Sequence, residues 1–227
     1  MKVGVLKFGG TSVANGECIR HVAGLITRKR ESQELFPVVV VSAMAGVTDL
    51  LFELAGEAAS GRPVKRGLAE LRQRHVLAAE ESVQASVRHP SLLAELGRAF
   101  QFLERDLAQV ARAGEWGVSS VCAWGERLSV LLLAASVRAL GASVTAVGEA
   151  AIVTEDTPHF RASLGAQPLP GETGQWVRET LAPLISQGIV VDCGFAIERL
   201  WWYFGARSSC TRRLYSLCKW EHFPSLV

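Results

Sequence analysis

Apolar and polar positions along this chain alternate between two rhythms. Val3–Phe8 is a short apolar run that stops at Gly9-Gly10, and the apolar residues that follow, Val13, Ile19, Val22 and Ile26, recur at helical spacing up to a basic end at Arg28-Lys29-Arg30. The pattern predicts a strand, a glycine turn and a helix starting at Val13. Pro37-Val38-Val39-Val40-Val41 is a continuous β-branched run, the signature of a strand buried on both faces of a parallel sheet. Residues 48–112 are rich in Leu, Ala, Glu and Arg with a period near 3.6, broken at Gly61-Arg62-Pro63 and His89-Pro90, which predicts helices over 48–60, 65–88 and 91–112. Residues 118–123 read as a short strand, followed by a helix to about Leu140 and a strand over 143–147. A Pro- and Gly-rich loop over 154–171 precedes a helix over 172–186, and Gly188-Ile189-Val190-Val191 opens another buried strand.

Repeated β-α units predict an α/β domain with a mainly parallel sheet covered by helices. The 227 residues suffice for one large domain, and 49% hydrophobic against 20% charged residues fits a folded chain. No apolar run reaches the roughly 18 to 20 residues needed to span a bilayer, and the start lacks the layout of a signal peptide, so a cytoplasmic enzyme without a membrane partner is expected. Cys18, Cys122, Cys193, Cys210 and Cys218 are scattered and contain no C-x-x-C pair, which indicates neither a disulfide framework nor a metal site. A net charge of +2 gives no argument for nucleic acid.

Three small-residue segments carry candidate chemistry. Lys7-Phe8-Gly9-Gly10-Thr11-Ser12 closes the first strand, where open α/β sheets place their ligands. Adjacent glycines let backbone N–H groups approach an anion, a helix start adds a positive dipole end, and Lys7 offers a mobile charge for a phosphate. The alternative is a plain strand-to-helix turn. Neither G-x-x-x-x-G-K-[ST] nor G-x-G-x-x-G occurs, which disfavours the nucleotide folds built on them. In Ser42-Ala43-Met44-Ala45-Gly46-Val47-Thr48-Asp49 the hydroxyls of Ser42 and Thr48 suit a carboxylate or phosphate, or Thr48 caps the next helix. In Trp124-Gly125-Glu126-Arg127-Leu128-Ser129 a carboxylate at a helix start either holds a substrate ammonium or favours the helix dipole.

Taken in order, these segments resemble the motif series of the aspartate kinases, and the long helical insert over about 48–112 resembles the larger members, among them those fused to homoserine dehydrogenase. The resemblance covers about residues 2–195 and ends at Gly194-Phe195. It implies the amino-acid kinase fold, carbamate-kinase-like, a three-layer α/β/α sandwich incomplete at its C-terminal end. It also implies transfer of the ATP γ-phosphoryl group to the side-chain carboxylate of L-aspartate, on the route to lysine, threonine and methionine, with Mg2+ accompanying the nucleotide and a homo-oligomeric intact protein. Carried over residue by residue, Lys7, Phe8, Gly9 and Gly10 hold ATP, Lys7 offsets charge in catalysis, and Ser42, Thr48 and Glu126 bind the amino acid. Alternatives are a kinase for another small acid and a non-catalytic fragment or paralogue that binds ligand or partner.

The pattern changes after Phe195. The family's Leu-Gly-Arg-Gly-Gly-Ser-Asp is absent, and residues 199–227 hold five cations against Glu221 alone, together with both tyrosines and Trp201, Trp202 and Trp220. Codons for Trp201-Trp202-Tyr203, read one base later, contain GGT-GGT for Gly-Gly, which resembles the missing motif. Residues 1–195 are therefore expected to form the kinase domain and 196–227 a divergent or frame-altered tail, with little turnover from this chain alone.

Overall fold

The computed structural model describes residues 3–32, 36–83, 90–113, 118–148 and 169–193. Within them β1 (Val3–Phe8), β2 (Phe36–Val41), β3 (Val144–Val147) and β4 (Ile189–Cys193) form one sheet in the order β1-β2-β4-β3. Every pair is parallel, with Val5 opposite Val38, Val38 opposite Val190, and Val190 opposite Thr145. A parallel strand covered on both faces has no solvent side to reserve for polar residues, and β2 from Pro37 onward and all of β4 are buried.

Alternate strand residues feed two cores. Val39, Val41, Val191 and Cys193 join the larger one with α1 (Gly16–Glu31), α2 (Val47–Ala59), α3 (Lys65–Ser82), α4 (Pro90–Ala113) and α5 (Val118–Ala139). Val38 and Val190 join Leu181 and Ile185 on the opposite face. That face is covered by α6 (Pro170–Trp176), a π-helical turn (Val177–Leu181) and α7 (Ala182–Ile185). The result is the expected three-layer α/β/α sandwich, and the helices predicted over 48–60, 65–88 and 91–112 appear as α2, α3 and α4.

Two sequence expectations are corrected. Residues 118–123 are the first turns of α5 rather than a strand. Val118 and Val121 are β-branched, but with Cys122, Gly125, Leu128, Ser129, Leu132 and Leu133 they form a buried helical series that outweighs local β propensity. α5 is consequently long and apolar enough by composition to cross a membrane, a property the sequence reading missed by splitting it. In this fold 78% of its apolar window is buried, as befits the central helix of a core. The helix after β1 also starts later than Val13. A 3-10 turn (Gly10–Val13) intervenes, and Asn15 caps α1, its Oδ1 accepting from the Cys18 N–H at 2.9 Å. Gly194-Phe195, the 196–227 tail and most of the 154–171 loop lie outside the described residues.

Candidate active site

Parallel strands all end on one rim, and the loops leaving β1 and β2 meet there. Lys7 lies opposite Val40, and Val40 opposite Asp192, so these three side chains leave the sheet on the face covered by α6 and α7. Phe8 follows on the other face, packed against the larger core. Its carbonyl accepts from the Ser42 N–H at 3.0 Å, which extends the β1-β2 ladder one residue into the second motif. The glycine pair then turns the chain, and Ser12 N–H donates to Gly9 O at 2.9 Å. A Cβ on Gly10 would stand 2.8 Å from Ala43 O and 3.6 Å from Ala45 N. Gly10 is therefore required by close approach of the 42–46 loop, and the first two motifs are in direct contact.

The 42–46 loop has a graded exposure. Ser42 is buried at 4% exposure, while Thr48 lies exposed in the first turn of α2. The residue preceding α2 is Gly46, left-handed at φ 74°, and no side chain caps this helix end. The capping role considered for Thr48 is thus excluded, and Thr48 lies exposed at the rim. Val47 N–H closes the turn onto Met44 O at 3.0 Å.

The third motif reaches the same loop from α5. A Cβ on Gly125 would meet the Ala43 methyl at 2.8 Å and Val47 Cγ1 at 3.1 Å. Glu126, next in sequence, is 1% exposed. It occupies the third turn of α5 rather than a helix start, so the helix-dipole account of this carboxylate does not apply. Its charge is felt at Cys193, the last residue of β4, whose thiol is pushed up to about 12 by burial first and then by the Asp192 and Glu126 carboxylates. Glu126 thus comes to the rim on the α5 face and Lys7 on the α6–α7 face. The motifs meet at Ala43, with Glu126 carried by α5 and Lys7 by β1.

Sequence reasoning missed three groups here. Asp192, 1% exposed, accepts from the Cys193 N–H at 2.8 Å, and an acid inside the apolar run Ile-Val-Val-Asp-Cys was the signal for it. Trp124 is clamped beside Glu126: its Nε1–H donates to Asp106 Oδ2 at 2.7 Å, its ring stacks on Phe102 at 6.2 Å, and the Arg127 guanidinium lies 5.0 Å from its centre. Arg127 Nε–H also reaches Gly148 O at 3.2 Å, tying α5 to the end of β3. Arg74 of α3 donates from Nη2 to Ala45 O at 2.7 Å, a contact 29 residues apart with no local sequence signal. Among the described residues no group of three or more His, Cys, Asp or Glu is placed to hold a metal.

Known proteins share this architecture. The fold is similar to Escherichia coli aspartokinase III in complex with lysine and aspartate, with a TM-score of 0.70 at 23% identity over 85% of this chain and 41% of that one. The same enzyme in complex with aspartate and ADP matches with a TM-score of 0.69, covering 85% and 40%. In sequence, the chain is 33% identical over 145 residues to the chloroplastic bifunctional aspartokinase/homoserine dehydrogenase 1 of Arabidopsis thaliana, covering 62% of this chain and 16% of the relative. It is 34% identical over 123 residues to the aspartokinase of Chlamydia muridarum, covering 53% and 26%. It thus spans about a quarter or less of the length of these two relatives. With the family model described as "Amino acid kinase family" matching residues 2–200, the chain belongs to that family.

Proposed function

We propose that this chain carries the phosphate loop and the acid-substrate subsite of an aspartate kinase, whose reaction transfers the γ-phosphoryl group of ATP to the β-carboxylate of L-aspartate. The supporting observation is the convergence of all three motifs on one short loop, with Gly10 and Gly125 each within 2.8 Å, as an added Cβ, of Ala43. In this reading one oxygen of the aspartate side chain forms a bond to the γ-phosphorus, the bond from that phosphorus to the β-γ bridging oxygen breaks, and ADP leaves with the electron pair. The nucleophile is already ionised at neutral pH, so no base is required and the work is positioning and charge neutralisation. Backbone N–H groups of the Gly9-Gly10 turn and the Lys7 ammonium receive phosphate oxygens. Ser42 and Thr48 donate hydroxyl hydrogens to the amino acid, and Glu126, in a setting of low dielectric, accepts its ammonium group. Mg2+ enters with the nucleotide phosphates, whose charge it offsets. The product would feed lysine, threonine and methionine synthesis.

Titration calorimetry on residues 1–227 with ATP, L-aspartate and L-glutamate tests the reading. Selective binding of aspartate, weakened roughly tenfold or more by Glu126→Gln because an ion pair is lost, is expected. Equal affinity for the two acids, or indifference to Glu126→Gln, refutes the assignment of this subsite.

A further inference from the structure

The 42–46 loop is the meeting point of the three motifs, yet few of its own contacts hold it in shape. It has no side-chain cap at Gly46, and its backbone bonds are at its ends: Ser42 N–H to Phe8 O, then Val47 N–H to Met44 O and Leu50 N–H to Gly46 O where α2 begins. Between them stands Ala45 O, and the bond it receives comes from outside the sheet, from Arg74 Nη2 at 2.7 Å. Arg74 Nη1 lies 3.8 Å from where a Gly46 Cβ would be, so the guanidinium plane rests along the left-handed turn as well as donating to it.

The element that presents Arg74 is firmly seated. Leu71 and His75, on either side of Arg74, are fully buried. His75 meets Phe100 of α4 edge-on at 5.8 Å. A short charge-assisted bond from a planar, pre-organised fork on a fixed helix restrains its acceptor more tightly than a lysine ammonium would.

We propose that Arg74 is a positioning residue of the acid-substrate subsite: by fixing Ala45 O it holds the turn between Ser42 and Thr48 in the shape that presents both hydroxyls. This rests on the assignment of Ser42 and Thr48 to the amino-acid side of the site. The consequence is selective. Loss of the guanidinium loosens the loop that receives the amino acid, while Lys7 stays on β1 and the Gly9-Gly10 turn keeps its own Ser12 N–H to Gly9 O bond, so affinity for the acid falls much more than affinity for ATP.

The experiment compares the 227-residue chain with Arg74→Ala, Arg74→Lys and a control on the same helix, Arg72→Ala, whose residue is exposed and pairs with Glu104 of α4 at 3.2 Å. Arg74→Ala is expected to weaken aspartate binding roughly tenfold, the worth of one charge-assisted hydrogen bond, with ATP affinity within about twofold. Arg74→Lys should restore part of the loss, and Arg72→Ala should match the parent. Amide exchange at Val47, measured without ligand, should quicken in Arg74→Ala and stay unchanged in Arg72→Ala. Unaltered aspartate affinity in Arg74→Ala, or equal loss for both ligands, overturns the proposal. If the parent binds no aspartate, the aspartate kinase reading fails by itself. Val47 exchange then decides the latch: unchanged exchange in Arg74→Ala overturns it, and faster exchange sustains the positioning of the loop for whatever acid the parent does bind.

Discussion

His75 shows how one buried side chain ties this fold to pH. Its Nδ1 lies 2.7 Å from Leu71 O, and since a carbonyl only accepts, Nδ1 carries the hydrogen and Nε2 holds the lone pair. Nε2 is buried without a hydrogen-bond partner, so a second proton there would be a charge in an apolar interior facing no acceptor. Burial, more than the nearby Arg74 charge, accordingly lowers its pKa from 6.5 to about 4, against a smaller upward pull from the Leu71 carbonyl. The unfolded chain takes up a proton near 6.5 while the folded chain does not until about 4. Stability from this residue is therefore intact above 6.5 and declines as pH falls toward 4, by a total of about 3 kcal/mol. Urea unfolding across that window should show the decline, and His75→Leu should flatten it; equal slopes for parent and variant would contradict the account. Gly125 carries a second expectation at this scale. An alanine methyl there would press on Ala43, Val47 and Leu51, the last at 3.2 Å, so Gly125→Ala should cost about 1 to 3 kcal/mol in chemical denaturation by overpacking. A melt indistinguishable from the parent would mean that the α5–loop contact gives way easily.

At the scale of elements, what could be read in the sequence depended on whether the signal was local. β2 and β4 declared themselves through the β-branched runs Val38–Val41 and Ile189–Val191, and α2, α3 and α4 through their period and their breaks at Gly61-Arg62-Pro63 and His89-Pro90. α5 did not, because Val118 to Ala123 satisfies strand propensity residue by residue and only the burial of the whole 22-residue helix fixes its state. The same split governs the candidate site. The Gly-Gly turn, Ser42 and Glu126 stood out as short motifs, whereas Arg74 and the Trp124 clamp depend on contacts between helices distant in sequence. The Trp124 clamp is the test of that second kind of information. Trp124→Phe keeps a ring on Phe102 but removes the bond to Asp106, leaving a half-buried carboxylate one donor short. A loss of roughly 1 to 2 kcal/mol in thermal unfolding is expected, larger than for an exposed substitution. No loss would show that the indole bond is replaced by water.

For the molecule as a whole, the described sheet has two edge strands, β1 and β3, each paired on one side only. All-parallel sheets occur almost only where crossover helices cover both faces, and the unpaired groups of an edge strand invite another chain. β1 is paired with β2 on one side and, among the described residues, with no strand on the other. Val3 and Val5 are 44% and 39% exposed along it, and Phe8, Val22 and Leu25 line a groove beside it. A six-residue parallel edge whose single charge, Lys7, sits near its end favours concentration-dependent association through pairing along Val3 to Leu6. Natural sheets suppress this with a charged side chain on the edge, and Val5→Lys introduces one at a position already partly in solvent, where little packing is lost. Analytical ultracentrifugation of the 227-residue chain should therefore show association that Val5→Lys shifts to higher concentration, with the melting temperature nearly unchanged because the core rows of β2 and β4 are untouched. Identical association by parent and variant would place the contact elsewhere. A fall in melting temperature of several degrees would instead mean that Val5 supports the smaller core under α6 and α7, whose row it shares with Val38 and Val190.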